Sequence, residues 1–181
     1  MPEGAAQAGV GAALGADTLP ASLVRSARDE YCMRLALAEA ESAAAAGDVP
    51  VGAVIVCGNA VVARAANRTV RDQDPTAHAE LMVMRAAAQA LGSWRLDDCT
   101  LVVTLEPCAM CAGAIVLARV PRVVFGAWDD KAGMAGSVGD LLRHQRLNHR
   151  PEVSGGILEA SAGSLLQTFF AARREGRAGR V

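Results

Sequence analysis

The sequence predicts an α/β protein, a three-layer α/β/α sandwich in which a central mixed sheet is flanked by helices. Two patterns support this prediction. Short continuous apolar runs, typical of buried strands, alternate along the chain with segments whose apolar residues recur at helical spacing. The resulting order is helix, hairpin, helix, strand, helix, strand, helix. The length of 181 residues suits one domain whose core is large enough to fold without disulfides.

The N-terminal half of the chain is expected to contain a helix, a hairpin and a second helix. The first helix begins at about Asp29, either Asp29 or Ser26 could cap it, and it ends at Gly47. Residues 51–63 form two apolar runs around a Gly-Asn turn, and their lack of alternation predicts hairpin strands covered on both faces. Apolar residues between positions 81 and 91 have helical spacing, and this second helix ends at Gly92.

The C-terminal half is expected to continue the alternation of strands and helices. Residues 100–105 predict a buried strand, residues 109–118 a helix and residues 122–126 a further strand. A loop with several glycines follows, and the last helix extends from about residue 158 to residue 174. Five apolar side chains of this helix are expected to face the core: Leu158, Leu165, Leu166, Phe169 and Phe170.

The expected domain boundaries follow from composition. Residues 1–25 are rich in Ala and Gly, contain few large apolar side chains and are predicted to form a disordered extension. Residues 26–175 are expected to form a single domain, and residues 176–181 a flexible C-terminal tail.

Composition also indicates where the protein is expected to act. No apolar run approaches the roughly 20 residues that a membrane-spanning helix needs, and the first residues lack the basic start and apolar core of a signal peptide. An odd number of cysteines, five, favours reduced thiols over disulfides in such a chain. We therefore expect a cytoplasmic protein that does not bind membranes.

Charge is distributed unevenly along the chain. The net charge of −1 by itself gives no indication of a nucleic-acid partner. Residues 141–181, however, contain seven arginines and three glutamates, whereas residues 1–50 contain three arginines and seven acidic residues. This asymmetry is compatible with a basic C-terminal face that binds nucleic acid, and equally with an ordinary solvated helix and tail.

Three candidate metal ligands occur at two predicted helix starts. Cys108 and Cys111 share a face of the helix that Pro107 introduces, and His78 opens the preceding helix. The exposed N–H groups and the dipole of a first helical turn favour thiolate over thiol. One imidazole and two thiolates suit zinc, and three protein ligands leave the fourth position open, as in catalytic zinc sites.

A closed structural zinc site completed by Cys99 is the main alternative. Cys99 precedes the strand 100–105 whereas Pro107 follows it, and at ~3.3 Å per residue the separation is on the order of 20 Å. This distance disfavours a fourth ligand at Cys99. Cys99, Cys57 and Cys32 are more simply explained as small buried hydrophobic residues.

Glu80 is the candidate general acid and base. It lies two residues after His78, an offset that points its side chain away from the ligand direction but leaves it beside the metal. A carboxylate there can take a proton from an activated water and pass it on. A glutamate that merely stabilises a helix start is the commoner case for an isolated residue, but the joint pattern of His-x-Glu and Pro-Cys-x-x-Cys favours catalysis.

These segments resemble the zinc nucleobase deaminases, whose signature is H-x-E followed by P-C-x-x-C. Residues 74–80 (DPTAHAE) are similar to the helix entry of that superfamily. Residues 104–114 (TLEPCAMCAGA) resemble the second metal segment of its bacterial tRNA adenosine deaminases. The similarity covers about residues 29–174 and includes residues 49–53, 122–127, 136–137 and 147–150.

The resemblance implies a cytidine-deaminase fold that holds one Zn²⁺ per chain through His78, Cys108 and Cys111, with Glu80 as the catalytic residue. It further implies a homodimer that hydrolytically deaminates adenosine to inosine at the wobble position of an arginine tRNA. The expected partner is the tRNA anticodon stem-loop, because a loop base reaches such a pocket at a small unstacking cost.

The resemblance also implies substrate contacts. Residues that match family positions near the flipped nucleotide or the RNA are Asn67, Ala79, Asp129, Asn148, Arg173 and Arg174. From the residues alone, the asparagine after the hairpin could equally form a turn, the loop residues could be ordinary surface, and the arginines could end a solvated helix. Trp128 departs from the family pattern, which more often has a polar or basic residue beside the loop aspartate.

Two alternative functions belong to different classes. Guanine or cytosine deaminases, which act on free bases or nucleosides, share the H-A-E and P-C-x-M-C-type segments, but residues 126–150 and the terminal helix favour the tRNA enzyme. A non-catalytic zinc module that binds RNA is disfavoured by the presence of Glu80 and by the lack of a plausible fourth ligand.

Overall fold

The computed structural model describes residues 18–178, with side chains through Glu175. Within that range no helix is long and apolar enough to cross a membrane. The same range contains four helices and five strands, in the order α1 (Arg25–Ala45), β1 (Gly52–Cys57), β2 (Ala60–Ala66), α2 (Ala79–Leu91), β3 (Cys99–Leu105), α3 (Ala109–Leu117), β4 (Arg122–Ala127), β5 (Glu152–Ser154) and α4 (Glu159–Ala178).

The strands form one mixed sheet with the order β2-β1-β3-β4-β5. β1 pairs antiparallel with both β2 and β3, whereas β3, β4 and β5 run parallel. The predicted fold class is therefore confirmed. β5 was not predicted, because its three residues are too short to show a period and become a strand only by pairing with residues 122–124.

The helices cover the sheet on both faces, as the lack of alternation in the strands predicts. Alternate positions of β1 and β3 contribute to two separate clusters of buried apolar residues. Ala53, Ile55 and Val103 belong to the cluster that includes α2 and α3. Val54 and Val102 belong to the cluster that includes α1. The result is a three-layer sandwich.

α1 and α4 approach the sheet at glycines. A Cβ added at Gly52 would lie 2.1 Å from the carbonyl oxygen of Ala36, so any side chain there would push α1 away from β1. A Cβ at Gly126 would lie 3.0 Å from the Cβ of Ala162, the buried residue of α4. Both helices thus lie close to the strand ends that surround the site described below.

The folded domain begins earlier than predicted. Leu19, expected in the disordered extension, is only 1 % exposed, and its N–H donates to the carbonyl of Asn59 (2.8 Å). α1 begins at Arg25 with Val24 as its N-cap residue, so Asp29 and Ser26 lie inside the helix and do not cap it. The Asp29 carboxylate instead accepts two hydrogen bonds of 2.7 Å from Arg122 of β4. The part of the predicted extension before residue 18 lies outside the described residues.

The expectation that all five cysteines are reduced is wrong for one pair. Cys57 and Cys99 form a disulfide. They are 42 residues apart in sequence, but the register of β1 and β3 places them directly opposite each other, with 4.3 Å between their Cα atoms. A strand register of this kind is not visible in the sequence. Cys32, Cys108 and Cys111 are free.

α4 buries less of its apolar surface than predicted. Phe170 is 42 % exposed and Phe169 is half-buried, so the expectation that both phenylalanines pack in the core is wrong. α4 has 20 residues and is about 30 Å long, whereas the six-residue β4 spans about 20 Å. The C-terminal part of α4 therefore has no strand to pack on.

Candidate active site

The carboxyl ends of three strands lie at the same edge of the sheet. β2, β3 and β4 point in the same direction and end there, while the antiparallel β1 begins there, as the pairs Gly52 with Ala66 and Leu105 with Ala127 show. Ligands of open α/β sheets bind outside the carboxyl ends of strands. The residues that follow β2, β3 and β4 are therefore brought to one place.

A cavity of about 200 Å³ opens at this edge. Its wall combines the segment before β1, the loop after β2, the start of α2, the end of β3 with the start of α3, and the loop after β4. The lining residues are Val49, Val51, Asn67, Thr69, His78, Glu80, Leu105, Glu106, Cys108, Asp129 and Ala132.

The three predicted metal ligands converge beside this cavity. His78 is the N-cap residue of α2, Cys108 is the N-cap residue of α3, and Cys111 lies in the first turn of α3. Nδ1 of His78 is 3.5 Å from Sγ of Cys111 and 3.7 Å from Sγ of Cys108. A tetrahedral zinc with bonds of ~2.1 Å to nitrogen and ~2.3 Å to sulfur places such ligand atoms roughly 3.5–3.8 Å apart. The donor set therefore fits one zinc ion.

The electrostatics of the three side chains favour a divalent cation. The hydrogen bond from the Cys111 thiol is the largest influence on Cys108, and together with His78 it lowers the pKa of Cys108 to about 3. The same hydrogen bond, with burial, raises the pKa of Cys111. The hydrogen bond with Cys108 also raises the pKa of His78. The two thiols thus share one proton that a zinc ion can replace.

Among residues 18–178, the candidate zinc-binding group consists of three side chains, His78, Cys108 and Cys111. Cys99, the alternative fourth ligand, begins β3 at the opposite edge of the sheet and is bonded to Cys57. An open fourth position is the pattern of catalytic zinc sites, whereas structural sites are closed by four protein ligands.

Glu80 lies in the first turn of α2 and lines the cavity beside His78 and Cys108, although only 4 % of its surface is exposed. Burial raises the pKa of its carboxyl group above the ordinary value, and the charge of Cys108 acts in the same direction. A carboxyl group with a raised pKa can accept a proton and release it again near neutral pH.

The predicted substrate-binding residues fall into two groups. Asn67 and Asp129 line the cavity, on the loops after β2 and β4. Ala79, fully buried at the start of α2, lies in the sequence between the cavity residues His78 and Glu80. Asn148 and Arg174 are exposed and lie outside the cavity wall. Arg173 donates to the carbonyl of Gly47, two residues before the cavity wall begins.

Trp128 does not line the cavity. The residue is 44 % exposed, and its ring packs edge-on against Phe125, with 4.7 Å between the ring centroids. A Cβ added at Gly136 would lie 3.3 Å from the Trp128 ring, so the indole covers this glycine.

Sequence reasoning missed several cavity residues. Glu106 lies inside a recognised motif segment, but nothing in the motif indicates a role for its side chain. Burial alone would raise the pKa of the Glu106 carboxyl, yet hydrogen bonds from Ser137, Asp129 and Ala135 lower it below the ordinary value. Val49, Val51 and Leu105 also lie in segments that resemble the family, but nothing in those segments indicates which side chains face the cavity. Thr69 and Ala132 lie outside these segments, and only the fold brings them to the cavity.

Comparison with known proteins agrees with this geometry. Residues 26–127 match the family described as the cytidine and deoxycytidylate deaminase zinc-binding region. A tRNA-specific adenosine deaminase of Bacillus subtilis is 50 % identical over 79 % of this chain and 89 % of its own length. A tRNA-specific adenosine deaminase of Haemophilus influenzae is 44 % identical over 87 % of this chain and 91 % of its own length.

Solved structures give the same indication. One from a study of A-to-I editing by tRNA:A34 deaminases at the wobble position of transfer RNA has a TM-score of 0.73 and 45 % identity. It covers 75 % of this chain and 99 % of its own. A guanine deaminase from Bacillus subtilis has a TM-score of 0.55 and 35 % identity, and covers 80 % of this chain and 93 % of its own. We conclude that the chain belongs to the zinc-binding cytidine and deoxycytidylate deaminase family, in the branch of the tRNA-specific adenosine deaminases.

Proposed function

We propose that this protein hydrolytically deaminates adenosine to inosine at the wobble position of a tRNA anticodon, with an arginine tRNA as the substrate. The observation that carries the proposal is the three-ligand zinc group beside the buried carboxyl of Glu80, at the wall of a cavity large enough for a base. Relatives that are named tRNA-specific adenosine deaminases supply the substrate class.

The metal in this proposal is one zinc per chain, held by Nδ1 of His78 and the thiolates of Cys108 and Cys111. When bound, zinc supplies Lewis acidity that lowers the pKa of a water molecule towards ~7. The remaining steps are carried by the protein. His78 and Cys108, as N-cap residues of two helices, fix the ligand positions through the backbone rather than through long flexible side chains.

Glu80 moves the protons in this scheme. Its carboxylate accepts the proton of the attacking water, delivers it to N1 of adenine as oxygen adds to C6, and then helps to protonate the departing amine. Burial in the cavity wall, which raises its pKa, makes the protonated form accessible during the cycle.

Recognition of the base is assigned to the residues around the cavity. The side-chain amide of Asn67, which is 4 % exposed, can both donate to and accept from a purine edge. The N–H of Ala79 lies in the first turn of α2, where backbone donors have no acceptor within the helix. Asp129 contributes from the loop after β4. A flipped base read by hydrogen bonds on its edge is the usual arrangement in such enzymes.

Contacts with the RNA outside the cavity are assigned to the C-terminal part of the chain. Arg173 lies over the ring of Phe169, with 4.7 Å from its guanidinium carbon to the ring centroid. Its bond to Gly47 places this part of α4 beside the segment that begins the cavity wall. Arg174 and Asn148 are exposed and available to contact phosphates.

We also propose that the protein acts on tRNA in the cytoplasm.

A homodimer is proposed through the face of α2 and α3. Leu117 is 73 % exposed and Trp94 is 67 % exposed, although both are large apolar side chains. They border a shallow apolar cavity, and an exposed patch of this kind marks an interaction surface. The other residues of this patch are Leu81, Met84, Arg85, Ala88, Ala114 and Ala118.

Guanine deamination is the alternative function, because a guanine deaminase shares the fold at 35 % identity.

The deciding experiment incubates the purified protein with arginine tRNA that carries adenosine at the wobble position, and in parallel with guanine, cytosine, cytidine and adenosine. Sequencing reads inosine in the tRNA. Efficient release of ammonia from guanine with an unchanged tRNA would reject the proposed function.

Zinc binding should depend on both cysteines. The wild-type protein is expected to contain about one zinc per chain, as a three-ligand site holds one ion. Cys108→Ser and Cys111→Ser should each lose both metal and activity, measured by elemental analysis and inosine formation. Cys32→Ala, which changes a buried free cysteine outside the site, is the matched control and should keep zinc. A fully metallated and active Cys111→Ser protein would contradict the ligand assignment.

Glu80 should be required for turnover but not for metal. Glu80→Gln is expected to keep the zinc and the fold and to lose roughly 10²–10⁴-fold or more in kcat, the usual contribution of general acid–base groups. Glu159→Gln, at an exposed glutamate in the first turn of α4, is the control and should be fully active. Loss of zinc from Glu80→Gln would show that Glu80 is a ligand instead.

Binding of tRNA should weaken with salt through the arginines of α4. The double substitution Arg173→Ala and Arg174→Ala should lower affinity and reduce the log–log salt slope by about 0.7 for each lost phosphate contact. Zinc content should be unchanged. Filter binding over a salt series measures the slope, and Arg95→Ala, at the other edge of the sheet, is the control. An identical slope in the double variant would show that these two arginines do not contact the RNA.

Association should depend on the exposed leucine of α3. Leu117→Asp is expected to convert a dimer into a monomer, because the charge would be buried at an apolar interface. Sedimentation velocity measures the mass. Val24→Asp places a charge at another exposed apolar residue, 68 % exposed and outside this patch, and should remain dimeric. A wild-type protein that sediments as a monomer would overturn the dimer proposal directly.

A further inference from the structure

Glu106 places a carboxylate between the metal-ligand segment and the loop that follows β4. The residue is only 2 % exposed. One oxygen accepts from the backbone N–H groups of Ala135 (2.8 Å) and Ser137 (3.1 Å). The other oxygen accepts from the N–H of Asp129 (3.0 Å) and from the hydroxyl of Ser137. All four donors belong to residues 129–137, so the carboxylate is surrounded by this one loop.

The loop approaches the carboxylate closely at Gly133. A Cβ added at Gly133 would lie 2.2 Å from an oxygen of Glu106, so only glycine allows the loop to approach this closely. Gly133 also forms a β-bridge with Cys108, and the N–H of Met134 donates to the carbonyl of Pro107 (2.9 Å). The loop is thereby tied to the two residues that follow Glu106.

We propose that Glu106 is a positioning residue, which fixes the loop of residues 129–137 as the substrate-facing wall of the cavity and so sets where Asp129 and Ala132 meet the base. This inference rests on the proposed function for its substrate. Glu106 acts through the loop and not on the base: its two oxygens are already occupied by four donors. Loss of the carboxylate therefore affects how well substrate is held more than how fast the held substrate reacts.

The chain contains a buried carboxylate with a different task. Asp29 pairs with the Arg122 guanidinium, and this pair joins α1 to the start of β4, at the edge of the sheet opposite the cavity. Glu106, in contrast, has neutral donors from a single loop. Asp29→Asn consequently serves as a matched control that removes a buried carboxylate charge and weakens the fold without touching the cavity wall.

The first measurement is hydrogen exchange of the loop, followed in the zinc-loaded full-length protein. In Glu106→Gln one acceptor oxygen is replaced by an NH₂ group that faces N–H donors, so the amides of Asp129, Ala135 and Ser137 should exchange about 10- to 100-fold faster, the range expected for loss of a hydrogen bond to a charged group. The zinc content should stay at the wild-type value. In Asp29→Asn the loop should exchange no faster than the rest of the domain.

The second measurement is the division of the effect between KM and kcat on wobble-adenosine tRNA. Glu106→Gln should raise KM about 10-fold or more with a smaller change in kcat. Ser137→Ala removes one of the four donors and should give a smaller rise in KM, and it decides the question if Glu106→Gln fails to fold. Asp29→Asn should lower stability and leave KM unchanged.

The outcomes separate the two proposals. An inactive wild-type protein on tRNA rejects the proposed function, and loop exchange in the variants then still decides whether Glu106 positions the loop. An active wild-type protein with unchanged loop exchange in Glu106→Gln overturns the positioning role. A loss confined to kcat, or a loss of zinc, overturns it as well, because Glu106 would then act on the chemistry or on the metal.

Discussion

β3 pairs antiparallel with β1 and parallel with β4, and the whole site depends on this arrangement. It brings the start of β1 and the ends of β3 and β4 to the same edge of the sheet. The backbone N–H of Gly52 donates to the hydroxyl of the buried Thr104 (3.1 Å), which fixes the register close to that edge. The two helices that carry the candidate zinc ligands then begin where strands or their loops end, so the three side chains meet although none of them is long.

Buried carboxylates do two different jobs around the cavity. Asp48 is fully buried, and it accepts from the N–H of Val70 (2.7 Å) and from the Nε of Arg71 (3.3 Å), which holds the loop after β2. Glu106 holds the loop after β4 in a similar way, and its hydrogen bonds lower its pKa. Burial instead raises the pKa of Glu80. The donors around Glu106 favour its charged form, whereas the burial of Glu80 favours its protonated form and lets it exchange a proton.

Periodicity and motif spacing predict most of the elements, because each helix and strand of more than five residues leaves its own pattern. Helix starts at His78 and Cys108 follow directly from the sequence, and so does the choice of zinc from the ligand types. Patterns fail where the structure depends on a distant neighbour. The three-residue β5 forms only by pairing with β4, and the Cys57–Cys99 disulfide forms only because the β1–β3 register places the two cysteines opposite each other. The exposure of Phe170 follows from the length of α4 relative to β4.

The sequence by itself therefore determined the fold class and the candidate groups for the chemistry, namely the three candidate zinc ligands and the candidate acid and base Glu80. These depend on residue types and on short spacings within single elements. Only the tertiary structure decided the shape of the cavity, the position of Asn67 and Asp129 in its wall, and the hydrogen bonds between Glu106 and the loop after β4. The reason is that the loops after β2 and β4 are more than 60 residues apart in the chain and become neighbours only through the order and direction of the strands between them.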